Sequence, residues 1–168
     1  MVRDILLAGA ASLSLTLPAV AQTGAALPTP DFIKAAATTD AFEREEGRLA
    51  EVRAANPHVR AFGKMMVTDH TRTTAALKAA IHRAGLPPPG EPALDSVQQA
   101  DVATLRTLHG KAFDHAYIDQ QIQAHQTALG VMKAYAAGGD NRVLRGAASS
   151  TAALVQHHLE LAQQLRSP

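Results

Sequence analysis

Glu43, His70, Asp114, His125 and His158 stand at positions where helical spacing calls for apolar side chains. Glu43 lies in line with Phe32, Ala36, Thr39 and Ala50. His70 is in line with Val59, Met66, Leu77 and Ile81. Asp114 and His125 share a stripe with Ile118, Gln121, Leu129 and Met132, and His158 sits with Leu144, Thr151, Leu161 and Leu165. Steps of three and four residues place each of these groups on the core side of a helix. A buried, unpaired carboxylate is costly, so such groups need one another or a cation.

Two chemistries satisfy them. In the first, Glu43, His70, His125 and His158, with Asp69 or Asp114 nearby, form a mixed imidazole–carboxylate metal site. Four convergent ligands hold one ion per chain, and zinc, iron, copper and manganese all accept these donors. Asp69 or Asp114 could instead orient a histidine by accepting its other N–H. In the second, the same groups form a metal-free polar layer, Glu43 pairing with His70 and Asp114 with His125 or His158. The carboxylate di-iron pattern is missing: Val67, Ile122 and Val155 stand three residues before the histidines, where that pattern needs glutamates. Met65 and Met66 read as core filling rather than thioether ligands. No nucleophile elbow, phosphate-binding glycine loop or zinc-protease motif is present, and no catalytic residue is assigned.

Four long helices must carry these residues. Their predicted spans are about 30–54, 57–84, 111–137 and 140–166, each close to 25 residues or ~38 Å. Asn56-Pro57 separates the first two, Gly85 with Pro87-Pro88-Pro89-Gly90 ends the second, and Gly138-Gly139 ends the third. Short links make antiparallel neighbours within each pair. The long connection after the second helix, with Val97, Val102, Leu105 and Leu108, predicts an extra helix inside a crossover. The expected fold is therefore an all-α, ferritin-like four-helix bundle with an extra helix in the crossover, a simple up-down bundle being the alternative.

The chain has 168 residues, a formal net charge of +1 and no cysteine. Arg3, the apolar run from Ile5 to Leu17 and the small-residue ending at Ala21 predict a signal peptide over 1–21, cut before Gln22. That run is shorter than the ~20 residues a transmembrane helix needs. Residues 22–30 read as a flexible leader and 31–168 as one domain exported to the periplasm or beyond. Without cysteine, any metal must use imidazole, carboxylate or water. With charges balanced and no basic cluster, nothing points to nucleic acid.

A longer pattern emerges when motifs are read in order. Phe32-Ile33-Lys34-Ala35-Ala36, Ala41-Phe42-Glu43 and Gly47-Arg48-Leu49-Ala50 are followed by Asn56-Pro57-His58-Val59, Phe62, Met65-Met66-Val67 and Asp69-His70. Leu108 to Asp114, Tyr117-Ile118, His125, His158-Leu159 and Ala162 complete it. This resembles the bacterial family catalogued as a domain of unknown function (DUF4142), often labelled a predicted outer membrane protein. The resemblance spans about Asp31 to Leu165 and implies an exported ferritin-like bundle without an assigned activity. Family positions fall on Glu43, Asp69, His70, Asp114, Tyr117, His125 and His158. Glu46, where an apolar residue belongs, and His157 depart from the pattern; Glu46 is expected to partner a nearby base. The outer-membrane label finds no β-barrel alternation or lipid-bearing cysteine to support it.

Three functions follow as expectations: a periplasmic protein binding one transition-metal ion for metal handling or stress protection, a non-catalytic envelope structural or interaction module, and, last, an enzyme. A homodimer or an envelope protein partner stays open.

Overall fold

The computed structural model describes residues 25–166. The signal segment expected over 1–21, its cleavage point and the first part of the leader, 22–24, lie outside the described residues. Among the described residues five helices follow one another: α1 (Thr29–Arg53), α2 (Pro57–Arg83), α3 (Ser96–Thr107), α4 (Gly110–Gly138) and α5 (Arg142–Arg166). They match the spans predicted from sequence to within about two residues, and α3 is the extra helix of the crossover.

The ends are set by local chemistry. The Asn56 side chain accepts the backbone N–H of His58 at 2.8 Å and Pro57 opens α2, where its missing N–H is no loss. α2 closes with a Schellman turn: the N–H of Leu86 reaches the carbonyl of Ile81 and that of Gly85 reaches His82, with Gly85 at φ 67°. Asp95 and Gln98 form a capping box on α3. Asn141 accepts the N–H groups of Val143 and Leu144, so α5 starts after it and Asp140 falls in the link rather than in the helix.

α1 packs along α2 and α4 along α5, while α2 lies on α5 and α1 on α4. The order around the bundle is thus α1, α2, α5, α4. Direction follows from two contacts. The Asp114 carboxylate, near the start of α4, accepts the backbone N–H groups of Ala55 and Asn56 in the α1–α2 link, at 3.0 and 2.9 Å. At the other end, the Thr29 hydroxyl meets the Tyr135 hydroxyl and the Asp140 carboxylate. α4 therefore begins where α2 begins, and the connection carrying α3 returns the chain along the bundle. This is the single-crossover, ferritin-like arrangement.

The core stripes of all four long helices are buried, with Phe32, Met66, Phe113, Tyr135 and Leu144 at or below 1% exposure. α1 and α2 approach most closely at Gly47 and Gly63. A Cβ on Gly63 would lie 2.6 Å from the Ala50 Cβ and 2.8 Å from the Gly47 carbonyl oxygen. Glycine lets the two backbones touch here, and the contact brings the acids of α1 toward the histidine of α2.

Candidate metal centre

Three imidazoles meet in the interior: His70 from α2, His125 from α4 and His158 from α5. All are at most 2% exposed. Their ring centroids are separated by 5.5 to 5.8 Å. One nitrogen of each ring lies within 4.8 Å of the others, so a point exists no more than about 2.8 Å from all three. Zinc–imidazole bonds are about 2.0–2.1 Å, so an ion at that point would draw each ring inward by well under one ångström.

The far nitrogen of each ring is held by an acceptor. His70 Nδ1 lies 2.9 Å from the Asp40 carboxylate, His125 Nδ1 is 2.8 Å from the Gln121 carbonyl, and His158 Nε2 is 3.2 Å from Asp69 Oδ2. Carboxylates and carbonyls only accept, so the ring nitrogen facing each one carries the proton. In the neutral ring the opposite nitrogen then keeps its lone pair. His70 Nε2, His125 Nε2 and His158 Nδ1 are the nitrogens left without a hydrogen-bond partner. Outer acceptors that fix a tautomer in this way are what metal-binding histidines require.

The local field keeps two of the rings neutral. Burial and the neighbouring His125 and His70 charges push His158 down to about 4, against the pull of Asp69. Burial and His70 likewise lower His125, opposed by Glu43. Burial also opposes charge on His70, but the Asp40 hydrogen bond and the charges of Glu43, Asp40 and Asp69 outweigh it and raise this ring. A single proton entering the cluster therefore goes to His70.

α1 lines the other side with acids. Gln121 spreads its amide between two glutamates, donating to Glu43 Oε2 at 2.7 Å and to Glu46 Oε2 at 3.0 Å. Both glutamates are fully buried. Burial and the Glu43 charge hold the Glu46 carboxyl well above its usual range, which makes it the neutral member of the pair. Tyr117 lies one turn before Gln121; its hydroxyl is buried without a partner and its ring stacks on Phe113.

Of the six residues expected to ligate metal, the structure brings His70, His125 and His158 together as one group. Glu43 sits beside them, its Oε1 3.7 Å from His125 Nδ1, the nitrogen turned toward Gln121 rather than the free one. Asp69 faces His158 rather than the other two rings, its Oδ2 3.2 Å from His158 Nε2. Asp114 is elsewhere. It lies eleven residues before His125 on α4, about 16 Å along the axis, and its carboxylate fastens the α1–α2 link. The metal-free pairings expected from sequence are also reassigned, since His70 pairs with Asp40 and Asp114 pairs with neither histidine. Glu46 meets the amide of Gln121, not a base.

Asp40 escaped the sequence reading. Its signal was present: Phe32, Ala36, Asp40, Glu43, Gly47 and Ala50 form the buried stripe, whereas Thr39 is half-buried. Besides His70, Asp40 receives the Thr73 hydroxyl at 2.7 Å. The Thr74 hydroxyl lies 3.0 Å from its second oxygen.

The fold is shared with a solved protein. The structure of CopM in the Cu(II)-bound form aligns at a TM-score of 0.70 over 84% of this chain and 97% of that one, at 16% identity. At that identity the likeness is one of fold. No curated protein matches the chain. The family model of a domain of unknown function, DUF4142, matches residues 14–165, which takes in α1 to α4, α5 up to its last residue and every residue of the histidine–carboxylate layer. By that match, this bundle belongs to the DUF4142 family.

Proposed function

We propose that this protein binds one late transition-metal ion between His70 Nε2, His125 Nε2 and His158 Nδ1, and serves metal handling outside the cytoplasm. The observations that carry this reading are that three buried imidazoles from three helices each bring a nitrogen within 4.8 Å of the others, and that each ring keeps one nitrogen without a partner. A layer built only for packing gains nothing by leaving three buried ring nitrogens unpaired in one cluster.

Neutral imidazoles suit copper, zinc, iron and nickel, and divalent affinities peak at copper. Three carboxylates, Asp40, Asp69 and Glu43, stand against the rings and favour a divalent over a monovalent ion. CopM, of the same fold, is known in a Cu(II)-bound form, which places Cu(II) first among the ions to test. Export is part of the proposal and rests on the basic, apolar and small-residue pattern ending at Ala21. No helix among the described residues is long and apolar enough to cross a membrane.

The test is loading followed by thermal melting. Cu(II) or Zn(II) at a hundred times its Kd should add about 2.7 kcal/mol of stability, or roughly 5–10 °C in Tm for a domain of this size. Stoichiometry should be one ion per chain, and His70→Ala should remove the gain. If neither ion shifts the melting of the unmodified chain, the layer is a polar spacer satisfied by its Asp40–His70 and Asp69–His158 pairs.

A further inference from the structure

With all three imidazoles buried, an ion has to reach them through the protein. A cleft of about 290 Å³ lies between α2 and α5, over a floor given by α1 and α4. Phe32, Ala36, Leu77 and Met132 form the buried part of that floor. At about 30 Å³ per water the cleft has room for roughly ten, enough for an ion with its first hydration shell.

One end of the cleft is level with the histidines. Asp40 and Thr73 line it there, and the Thr73 hydroxyl donates to Asp40 Oδ1 at 2.7 Å. That same oxygen stands 2.9 Å from His70 Nδ1. Asp40 is only 6% exposed and is the one acid of the lining; the one base, Arg83, lies ten residues beyond Thr73, about 15 Å further along α2. The cleft is open toward solvent between small, exposed side chains, Ala76 on α2 and Ser150 on α5. Farther along α5 it is lined by Gly146, where an added Cβ would meet nothing within 4 Å.

We propose that this cleft is the port through which a divalent ion enters and leaves the histidine centre, with Asp40 the carboxylate that meets it at the inner end. The proposal rests on the metal reading and adds the route: the cleft sets how fast an ion exchanges, and the ring nitrogens set how tightly it is held. Two other approaches compare poorly. The larger hollow between α1 and α4 is lined by neither a histidine of the centre nor a carboxylate that touches one. Asp69 is more exposed than Asp40, at 17%, and touches His158, but it lines neither hollow, so an ion there has no space leading inward.

Stopped-flow loading of the full chain with Cu(II) or Zn(II), and release to excess chelator, test the port. Ala76→Leu with Ser150→Leu narrows the mouth from both sides, and leucine is a good helix former at such exposed positions. The pair raises the barrier without touching the bound state, so loading and release should both slow by about tenfold or more while Kd holds within about twofold. Ala75→Leu with Ser149→Leu, exposed on the same two helices but outside the cleft, should change neither rate. In the metal-free chain, NMR should show solvent exchange of the His70 Nδ1 proton slowed by the first pair and not by the second. Unchanged loading and release in the first pair, with the ion still bound, would overturn the port and leave the metal reading standing. Proton exchange at His70 that ignores the first pair would overturn it as well. If the unmodified chain takes up neither ion, both proposals fall together.

Discussion

Asp40→Asn isolates the charge behind His70 from everything else that residue does. Asparagine can keep its Oδ1 as the acceptor for His70 Nδ1 at 2.9 Å and the Thr73 hydroxyl at 2.7 Å. Its Nδ2 would replace the oxygen 3.0 Å from the Thr74 hydroxyl, which can accept instead. Shape and hydrogen-bond count are therefore retained while one negative charge is lost. Charged hydrogen bonds contribute about 1.5–3 kcal/mol against about 0.5–1.5 for neutral ones, so the metal-free protein should lose on the order of 1 kcal/mol. Loss of an outer carboxylate weakens metal affinity about 10- to 100-fold, or roughly 1.4–2.7 kcal/mol.

Proton competition pulls the other way, which makes the result diagnostic. Asp40 helps hold His70 above its ordinary range, so the variant should lower that ring's pKa and remove a proton that competes with metal. The competition fades as pH rises, and the loss of ligand basicity should then show in full. The assay is a chelator competition with Cu(II) or Zn(II) at pH 8, paired with an NMR titration of the imidazole resonances. Asp114→Asn is the control and should leave affinity unchanged, because its carboxylate serves the α1–α2 link. Unchanged affinity in Asp40→Asn, or a His70 titration that does not move, would refute the role assigned to Asp40.

Three more perturbations have defined signs. The His158 pKa is depressed from 6.5 to about 4, so its contribution is present above 6.5 and lost as pH falls through 4. The metal-free bundle should lose on the order of 3 kcal/mol across that window, read by urea melts at fixed pH, and any metal-induced gain in Tm should vanish over the same range. Glu46 has a raised pKa, so its contribution is full below 4.5 and lost as pH rises through the folded value. Glu46→Gln should flatten that decline and be the more stable protein at pH 9, whereas parallel pH profiles would contradict a neutral Glu46. Gly63→Ala should destabilise by about 1–2 kcal/mol, since the overpacking at Ala50 and Gly47 exceeds the gain in helix propensity. Gly130→Ala, with nothing within 4 Å of the added methyl, should instead stabilise by about 0.5–1 kcal/mol, and thermal melts compare the two.

The bundle was legible because its signals are local. Asn56-Pro57, Gly85 and Gly138-Gly139 interrupt helical periodicity whatever the rest of the chain does, and the structure places its helix ends there. The long connection beginning at Leu86 foretold a crossover, although only the Asp114 contact to the α1–α2 link shows that α4 starts beside α2. The three histidines were legible for the same reason: each breaks an apolar stripe. Their partners were not. Asp40 and Thr39 both fall near the stripe of α1, and choosing between them needs the rotation that packing against α2 and α4 imposes. Asp114 has the right type and periodicity for the layer, but it lies three turns of α4 away from His125, and facing inward says nothing about height along a bundle.

That height is what α1 encodes. Asp40, Glu43 and Glu46 lie three residues apart, rising about 4.5 Å per step along α1. Asp40 meets His70 on α2, while Glu43 and Glu46 share the Gln121 amide of α4, Glu43 also lying near His125. The acidic charge therefore falls along the ladder: Asp40 is bound to the most basic of the three rings, and the last acid is neutral. Negative charge is concentrated at the end where the three imidazoles meet and withdrawn toward Tyr117, whose ring stacks on Phe113. A divalent cation gains most at the first end. A polar layer serving register alone would have no reason to be graded.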